Sequence, residues 1–201
     1  IYFKGAWQTL FDPEETVDAV FHALDGSEIA VDMMRMREDL RFYEDDAVTM
    51  VTLPYHGEDL EAVLIAPRDD TVRELEASLT PETLSSWLGQ LEETEDVLVR
   101  LPRFSLRYKA ELSTVLKALG MRLPFSREAA DFSGIFGAAN LFISSVLHET
   151  FLQVKEEGTE AAGATAIVIE VESVNPMPTF NGNRPFLFLI RDKVTGSLLF
   201  M

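Results

Sequence analysis

Polar and hydrophobic positions first repeat along the chain with the short period of extended structure. Residues 1–11 carry the apolar Ile1-Tyr2-Phe3 and read as a strand end, turning at Gly5 before the aromatic Trp7 and Phe11. Asp12-Pro13-Glu14-Glu15 is a turn. Val17 to Leu24 and Ile29 to Met36 flank Asp25-Gly26, a dipeptide suited to a tight hairpin, and are predicted to pair. A second pair runs over Ala47 to Leu53 and Leu60 to Ala66, joined by Pro54-Tyr55-His56-Gly57 and closed by Pro67. In the latter, Leu60, Ala62, Leu64 and Ala66 share one face. The other carries Glu61, Val63 and Ile65, the pattern of a sheet covered on both sides.

The period then changes. Thr80-Pro81-Glu82 combines an N-cap, a proline at the first helical position and an early acid, and Leu84, Trp87, Leu88 and Leu91 come next at helical spacing. A second helix is predicted over Ala110 to Leu119, with Leu112, Val115, Leu116 and Leu119 on one stripe and Gly120 as its C-terminal cap. Val97 to Pro102, Phe104 to Tyr108, Leu141 to Val154, Phe186 to Ile190 and Leu198 to Met201 are strand material. Strands dominate and the helices are clustered, so the class is α+β with extensive mixed sheets.

Charge narrows the partners. The 201 residues include 34 acidic and 17 basic side chains, a formal net charge of −17. That balance repels polyphosphates and anionic lipid, so neither nucleic acid nor membrane is expected as a partner. No apolar run reaches the roughly 18 residues of a membrane span. The chain has no cysteine, which removes disulfides, thiol nucleophiles and Cys-based zinc sites. Its length suits one domain or part of a larger one. Both ends are apolar strand segments, Ile1-Tyr2-Phe3 and Leu198-Leu199-Phe200-Met201, the expectation being a piece of a larger domain.

No catalytic signature emerges. His22, His56 and His148 lack partners at metal-ligand spacing, and there is neither a nucleophile elbow nor a phosphate or dinucleotide loop. Hence no cofactor and no metal are expected. Asp45-Asp46 and Asp69-Asp70 are paired carboxylates, but in polar turns where solvated charge is the simpler reading. His148 lies in an apolar run and reads as a hydrogen-bonded core residue.

Residues 155–175 differ from an ordinary loop. Gly158 to Ala166 are nearly all small. Ile167, Ile169 and Val171 then alternate with Val168, Glu170 and Glu172. By composition a plain strand after a turn is the simplest account, yet the stretch between Val154 and Pro176 contains no turn of its own. Small side chains suit a segment that slides between two existing strands.

These residues resemble a known family. Phe151-Leu152-Gln153-Val154-Lys155-Glu156-Glu157-Gly158-Thr159-Glu160-Ala161-Ala162-Gly163-Ala164-Thr165 looks like the hinge of the serpins. Ile1-Tyr2-Phe3-Lys4-Gly5-Ala6-Trp7, Leu53-Pro54-Tyr55, Leu101-Pro102-Arg103-Phe104, Asp131-Phe132-Ser133-Gly134-Ile135 and Arg184-Pro185-Phe186-Leu187-Phe188 fit the same family in the same order. The resemblance covers the whole chain and implies the C-terminal part of a single serpin domain. Its fold would have mixed sheets and clustered helices and be metastable, with residues 156–175 as hinge and exposed reactive-centre loop.

The resemblance also implies a mechanism. The protein would be no enzyme but a suicide substrate for a serine protease, trapping the acyl-enzyme as the cleaved loop inserts into the central sheet as a strand. Family spacing from the hinge, and back from Phe180 and Pro185, places the reactive bond at Glu172-Ser173, so the target would prefer an acid before the cut. Gly158, Thr159, Glu160, Ala161, Ala162, Gly163, Ala164 and Thr165 would form the hinge. Trp7, Arg103 and Glu156 would form the breach where the loop first enters, and His148 would be the shutter histidine. An extracellular monomer is implied, with a cytoplasmic location as the other option. The alternative is a non-inhibitory serpin acting as carrier or chaperone.

Overall fold

The computed structural model describes residues 2–57, 59–69, 71–136, 141–159 and 177–201. In chain order its elements are β1 (Gly5–Ala6), β2 (Val17–His22), β3 (Glu28–Glu44), β4 (Val48–Pro54), β5 (Leu60–Pro67), α1 (Val72–Ser78), α2 (Pro81–Gln90) and β6 (Glu92–Pro102). Then come β7 (Phe104–Glu111), α3 (Ser113–Ala118), α4 (Ser133–Phe136), β8 (Leu147–Lys155), β9 (Gly158–Thr159), β10 (Thr179–Asn181), β11 (Leu187–Asp192) and β12 (Leu198–Phe200). Residues 4–104 with 153–201 form one unit, and residues 1–3 with 105–152 another.

The larger unit is built on a sheet in the order β10-β6-β3-β4-β5-β11-β12, with β2 paired to β3. β10 runs parallel to β6, in the register Phe180 to Val99, and the other pairings are antiparallel. The β2–β3 hairpin turns at Gly26, whose φ of +82° is the left-handed geometry expected of that glycine. β5 is buried on both faces, as its composition predicts. On one face Val63 and Ile65 join Val48, Met50, Leu187 and Leu189, and α1 and α2 cover them with Val72, Leu75, Leu84 and Leu91. On the other, Phe188 pairs with Leu64 and stands edge-on to Phe104 at 5.6 Å.

Helix α2 begins as its sequence indicates: the Thr80 side chain accepts from Thr83 N, and proline occupies the first turn. At its other end Arg41 donates to the Leu91 carbonyl at 3.1 Å, a cation at the negative helix terminus. Helix α1 is an addition to the sequence reading. Its Thr71–Glu74 capping box is local and explicit, with Thr71 N donating to the Glu74 carboxylate at 2.8 Å. Glu61, in the apolar face of β5, is 2% exposed and accepts from Arg191 Nε at 2.6 Å, so burial of its charge is compensated by pairing.

Three boundaries differ from expectation. β3 continues through charged residues to Glu44, because Met34, Met36 and Leu40 keep one face buried while Arg37 turns outward to Asp96 at 2.7 Å. The second helix starts at Ser113: Ala110 and Glu111 extend β7, and the Glu111 carboxylate then accepts from Ser113 N at 3.1 Å and Val146 N at 3.2 Å. Gly120 stands after it at φ +104°, as a C-terminal cap should. The strand expected from Leu141 begins at Leu147, since the chain before it is engaged in loop contacts such as Ile143 N to the Pro124 carbonyl.

In the smaller unit β7 and β8 are sheet neighbours, Tyr2 stacks on Phe151, and Arg107 lies 5.6 Å over the same ring. The helical stripe expected to be core is uncovered by the described residues: Leu119 is 79% exposed and Val115 more than half exposed. His148 is half-buried on β8 rather than sealed in a core, with Leu147 and Glu149 beside it exposed.

Candidate functional site: the clamp around Gly158 and Thr159

The end of β8 turns back through Glu156-Glu157 into β9, so that Gly158 and Thr159 pair antiparallel with Lys155 and Val154. On their other edge they pair antiparallel with Ala6 and Gly5 of β1. Two residues of returning chain thus lie between two strands as a third. Only glycine fits position 158: its φ is +135°, and a Cβ there would collide with the Gly5 carbonyl oxygen and stand 2.6 Å from Ala6 Cα.

The turn is tied to the segment after β1 by its carbonyls. Trp7 N donates to Glu157 O and Phe11 N to Glu156 O, each at 3.1 Å, and Trp7 Nε1 donates to Lys155 O at 2.9 Å. The Trp7 indole is buried. It stacks on Tyr55 with ring centres 4.6 Å apart, and Phe11 meets it edge-on at 6.5 Å. The Tyr55 hydroxyl and the Thr159 hydroxyl share a hydrogen bond of 2.8 Å, both side chains being buried. Burial pushes the Tyr55 phenol well above its ordinary range, against the opposing hydrogen bond to Thr159. It is therefore a neutral hydroxyl at any physiological pH.

Glu156, 3% exposed, is the charged member. It accepts from Arg103 Nε at 2.6 and 2.8 Å, from a terminal nitrogen of Arg103, and from the Thr16 hydroxyl at 2.7 Å. Arg103 also reaches Asp32 at 3.3 Å. Desolvation alone would raise the Glu156 carboxyl. The hydrogen bonds from Arg103 and Thr16 outweigh it and hold the group below the ordinary carboxylate range. The same pairing, foremost the bond to Glu156, raises Arg103.

Of the residues singled out in the sequence, Trp7, Arg103, Glu156, Gly158 and Thr159 meet in this clamp. Glu160, Ala161, Ala162, Gly163, Ala164, Thr165, Glu172 and Ser173 lie outside the described residues, and His148 belongs to the smaller unit. Asp45 is a turn cap, accepting from Ala47 N and Val48 N and from the Tyr43 hydroxyl. Asp70 lies outside the described residues. Among the described residues no acidic or histidine cluster could hold a metal, and no helix is long and apolar enough to cross a membrane. Tyr55, Thr16 and Asp32 complete the clamp from far along the chain. Only Tyr55 lies within a recognisable motif, and nothing in that motif marks its hydroxyl.

The class is α+β, with β9 held between β1 and β8 in a four-stranded sheet, in addition to the larger mixed sheet. A model of the family Serpin (serine protease inhibitor) matches residues 1–201, and the chain belongs to the serpin family. It is 38% identical over 206 residues to Homo sapiens antithrombin-III, covering 100% of this chain and 44% of that protein. It is 40% identical over 203 residues to Bos taurus serpin A3-1, covering 100% and 48%. The crystal structure of human thyroxine-binding globulin superposes with a TM-score of 0.85 at 30% identity, over 98% of this chain and 52% of that one. The chain spans about half the length of these relatives, and its fold is the serpin fold.

Proposed function

We propose that the chain is the C-terminal part of a single serpin domain that inhibits a serine protease as a suicide substrate, with residues 156–175 as hinge and reactive-centre loop. The observation that carries this reading is the seat of Gly158 and Thr159 as a strand between β1 and β8. Beyond Glu160, residues Ala161 to Ile169 contain neither proline nor charge, so nothing in that run's chemistry bars continuation of the same strand.

The protease serine attacks the Glu172 carbonyl carbon. The Glu172–Ser173 bond breaks, the Ser173 amine leaves, and Glu172 is held as an ester on the enzyme. Insertion of the freed loop then competes with water for that ester. Each added ladder hydrogen bond contributes about 0.5–1.5 kcal/mol net, and apolar burial about 25 cal/mol per Å². A dozen inserted residues therefore release on the order of 10 kcal/mol. The chain supplies no catalytic group of its own. Trp7, Arg103 and Glu156 act as the breach that holds the insertion point, and His148 as the shutter residue.

A carrier reading rests on the likeness to thyroxine-binding globulin; the run of small residues from Ala161 to Ala166 favours the inhibitor. The test is to treat the full-length protein with a glutamate-specific serine protease and sequence the new N-terminus by mass spectrometry. A fragment beginning at Ser173 is expected. A first cut outside residues 170–175 contradicts the assignment.

A further inference from the structure

The pairing of β3 with β6 slips at one place: Glu38 faces Val97, but Leu40 faces Thr94. Asp39 falls in that bulge. Across from it Asp96 takes a φ of +59°, and its N–H donates to the Asp39 carboxylate at 3.0 Å. A bulge re-aims the side chains around it, and here a cavity of about 320 Å³ opens, lined by Glu38, Asp39, Arg41, Glu61, Glu93 and Lys193 among others. All of these residues lie within the larger unit, and a cavity of that volume suits a small molecule.

The charges of the cavity are unevenly satisfied. Glu61 stands on β5 between Pro54 of β4 and Arg191 of β11, and it is 2% exposed. Both of its cationic contacts, Arg191 Nε at 2.6 Å and Arg41 at 4.0 Å, go to Oε1. Oε2 accepts no hydrogen bond from a described residue. It is not sealed off either, since Asn183 Oδ1 is the only such buried side-chain atom among the described residues. Oε2 therefore reaches solvent, and the cavity is the space that Glu61 lines. Arg41 is engaged elsewhere, donating to the carbonyls of Leu88 and Leu91. Neither Glu38, Glu93 nor Lys193 has an ion-pair partner among the described residues.

We propose that this cavity binds a small organic cation, an alkyl amine or guanidine whose charge lies toward Glu61, Glu38 and Glu93. Four carboxylates line it against two cations, and a buried carboxylate with one oxygen unbonded favours a donor that brings its own positive charge. A metal ion does not fit, because no three acidic or histidine side chains among the described residues could hold one. Ammonium and guanidinium groups carry several donors each and can satisfy carboxylates that stand apart. Leu40 and Pro54 add apolar lining for a methylene stem. The site shares no residue with the clamp around Gly158 and Thr159, so it stands whether or not the protein traps a protease.

The probe is agmatine, which carries a guanidinium and an ammonium on one alkyl stem, titrated by calorimetry into the full-length protein at low salt. Saturable binding of one molecule per chain is expected, with a Kd of about 1 mM or tighter, and a neutral alkyl diol of the same length should not bind. Glu38→Gln/Glu93→Gln removes two charges with little change of shape and should weaken the Kd at least about tenfold. Lys193→Gln removes the opposing cation and should tighten it about twofold or more. These side chains lie outside the buried core, so both variants should unfold at the wild-type midpoint.

Absence of saturable binding overturns the proposal. So does equal affinity in Glu38→Gln/Glu93→Gln, or a Lys193→Gln variant that binds no more tightly than wild type. Displacement of agmatine by an equal concentration of magnesium would mark a diffuse counterion effect in place of a site, and overturns it as well.

Discussion

Replacing Glu156 by lysine perturbs the clamp where its electrostatics are concentrated. The carboxylate is 3% exposed and accepts from two nitrogens of Arg103 and from Thr16. Removing one partner of a fully buried, hydrogen-bonded ion pair costs about 3–5 kcal/mol. Arg103 has a side chain 40% exposed and keeps Asp32 at 3.3 Å, so water and that second acid absorb part of the loss, leaving about 2–3 kcal/mol. The relatives are about twice the length of this chain, and a domain of that size shifts by about 1.2 °C per kcal/mol, so the unfolding midpoint should fall by roughly 2–4 °C in Glu156→Lys.

Glu156→Gln keeps the shape and one acceptor oxygen for Arg103 or Thr16, and should lose less than half as much. The assay is thermal unfolding of the full-length protein, together with size-exclusion chromatography after mild heating. The lysine variant should also form polymers there, because two cations facing each other loosen the sheet at the insertion point. A lysine variant that melts within about 1 °C of wild type and stays monomeric would overturn this. So would a glutamine variant as damaged as the lysine one, since charge would then not be the cause.

The same geometry fixes two further outcomes. Glu156 has its folded-state value depressed, so its contribution is present above the unfolded value of about 4.3 and is lost as pH falls through the lower folded value. The melting difference between wild type and Glu156→Gln should therefore be constant near neutrality and shrink below about pH 4; a difference that widens on acidification opposes this. Gly158→Ala forces a Cβ onto the Gly5 carbonyl at a φ of +135°, so β9 should detach from β1 and the Thr159 amide lose its protection from hydrogen exchange. Gly26→Ala, at φ +82° but with open space around it, should cost only about 1 kcal/mol; equal damage from both would mean that close approach is not what requires Gly158.

How much of the fold is legible in sequence depends on whether the signal is local. The hairpin at Asp25-Gly26, the capped start of α2 and the two-sided burial of β5 are each written within a dozen residues. The expected end of β3 falls short because Arg35, Arg37 and Glu38 resemble a strand end, whereas the buried face runs on through Met36 and Leu40. The expected start of the second helix falls too early because Ala110 and Glu111 have side chains compatible with a helix but are held in β7 by sheet pairing. In the clamp, Glu156 and Arg103 stand out only through family resemblance, and the Tyr55–Thr159 bond joins residues 104 positions apart. No period or motif announces such a contact, since a buried tyrosine after a strand ordinarily serves packing alone.

Everything proposed for this chain turns on whether the loop after Thr159 traps a protease by completing a strand already begun. Denaturing gel electrophoresis of the full-length protein, after incubation with a glutamate-specific serine protease, decides it. A covalent band at the summed mass of protease and the inhibitor portion ending at Glu172, stable in detergent, is the expected result. Complete cleavage with no such band, by that protease and by others that cut between residues 170 and 175, would contradict trapping and bring the carrier reading forward.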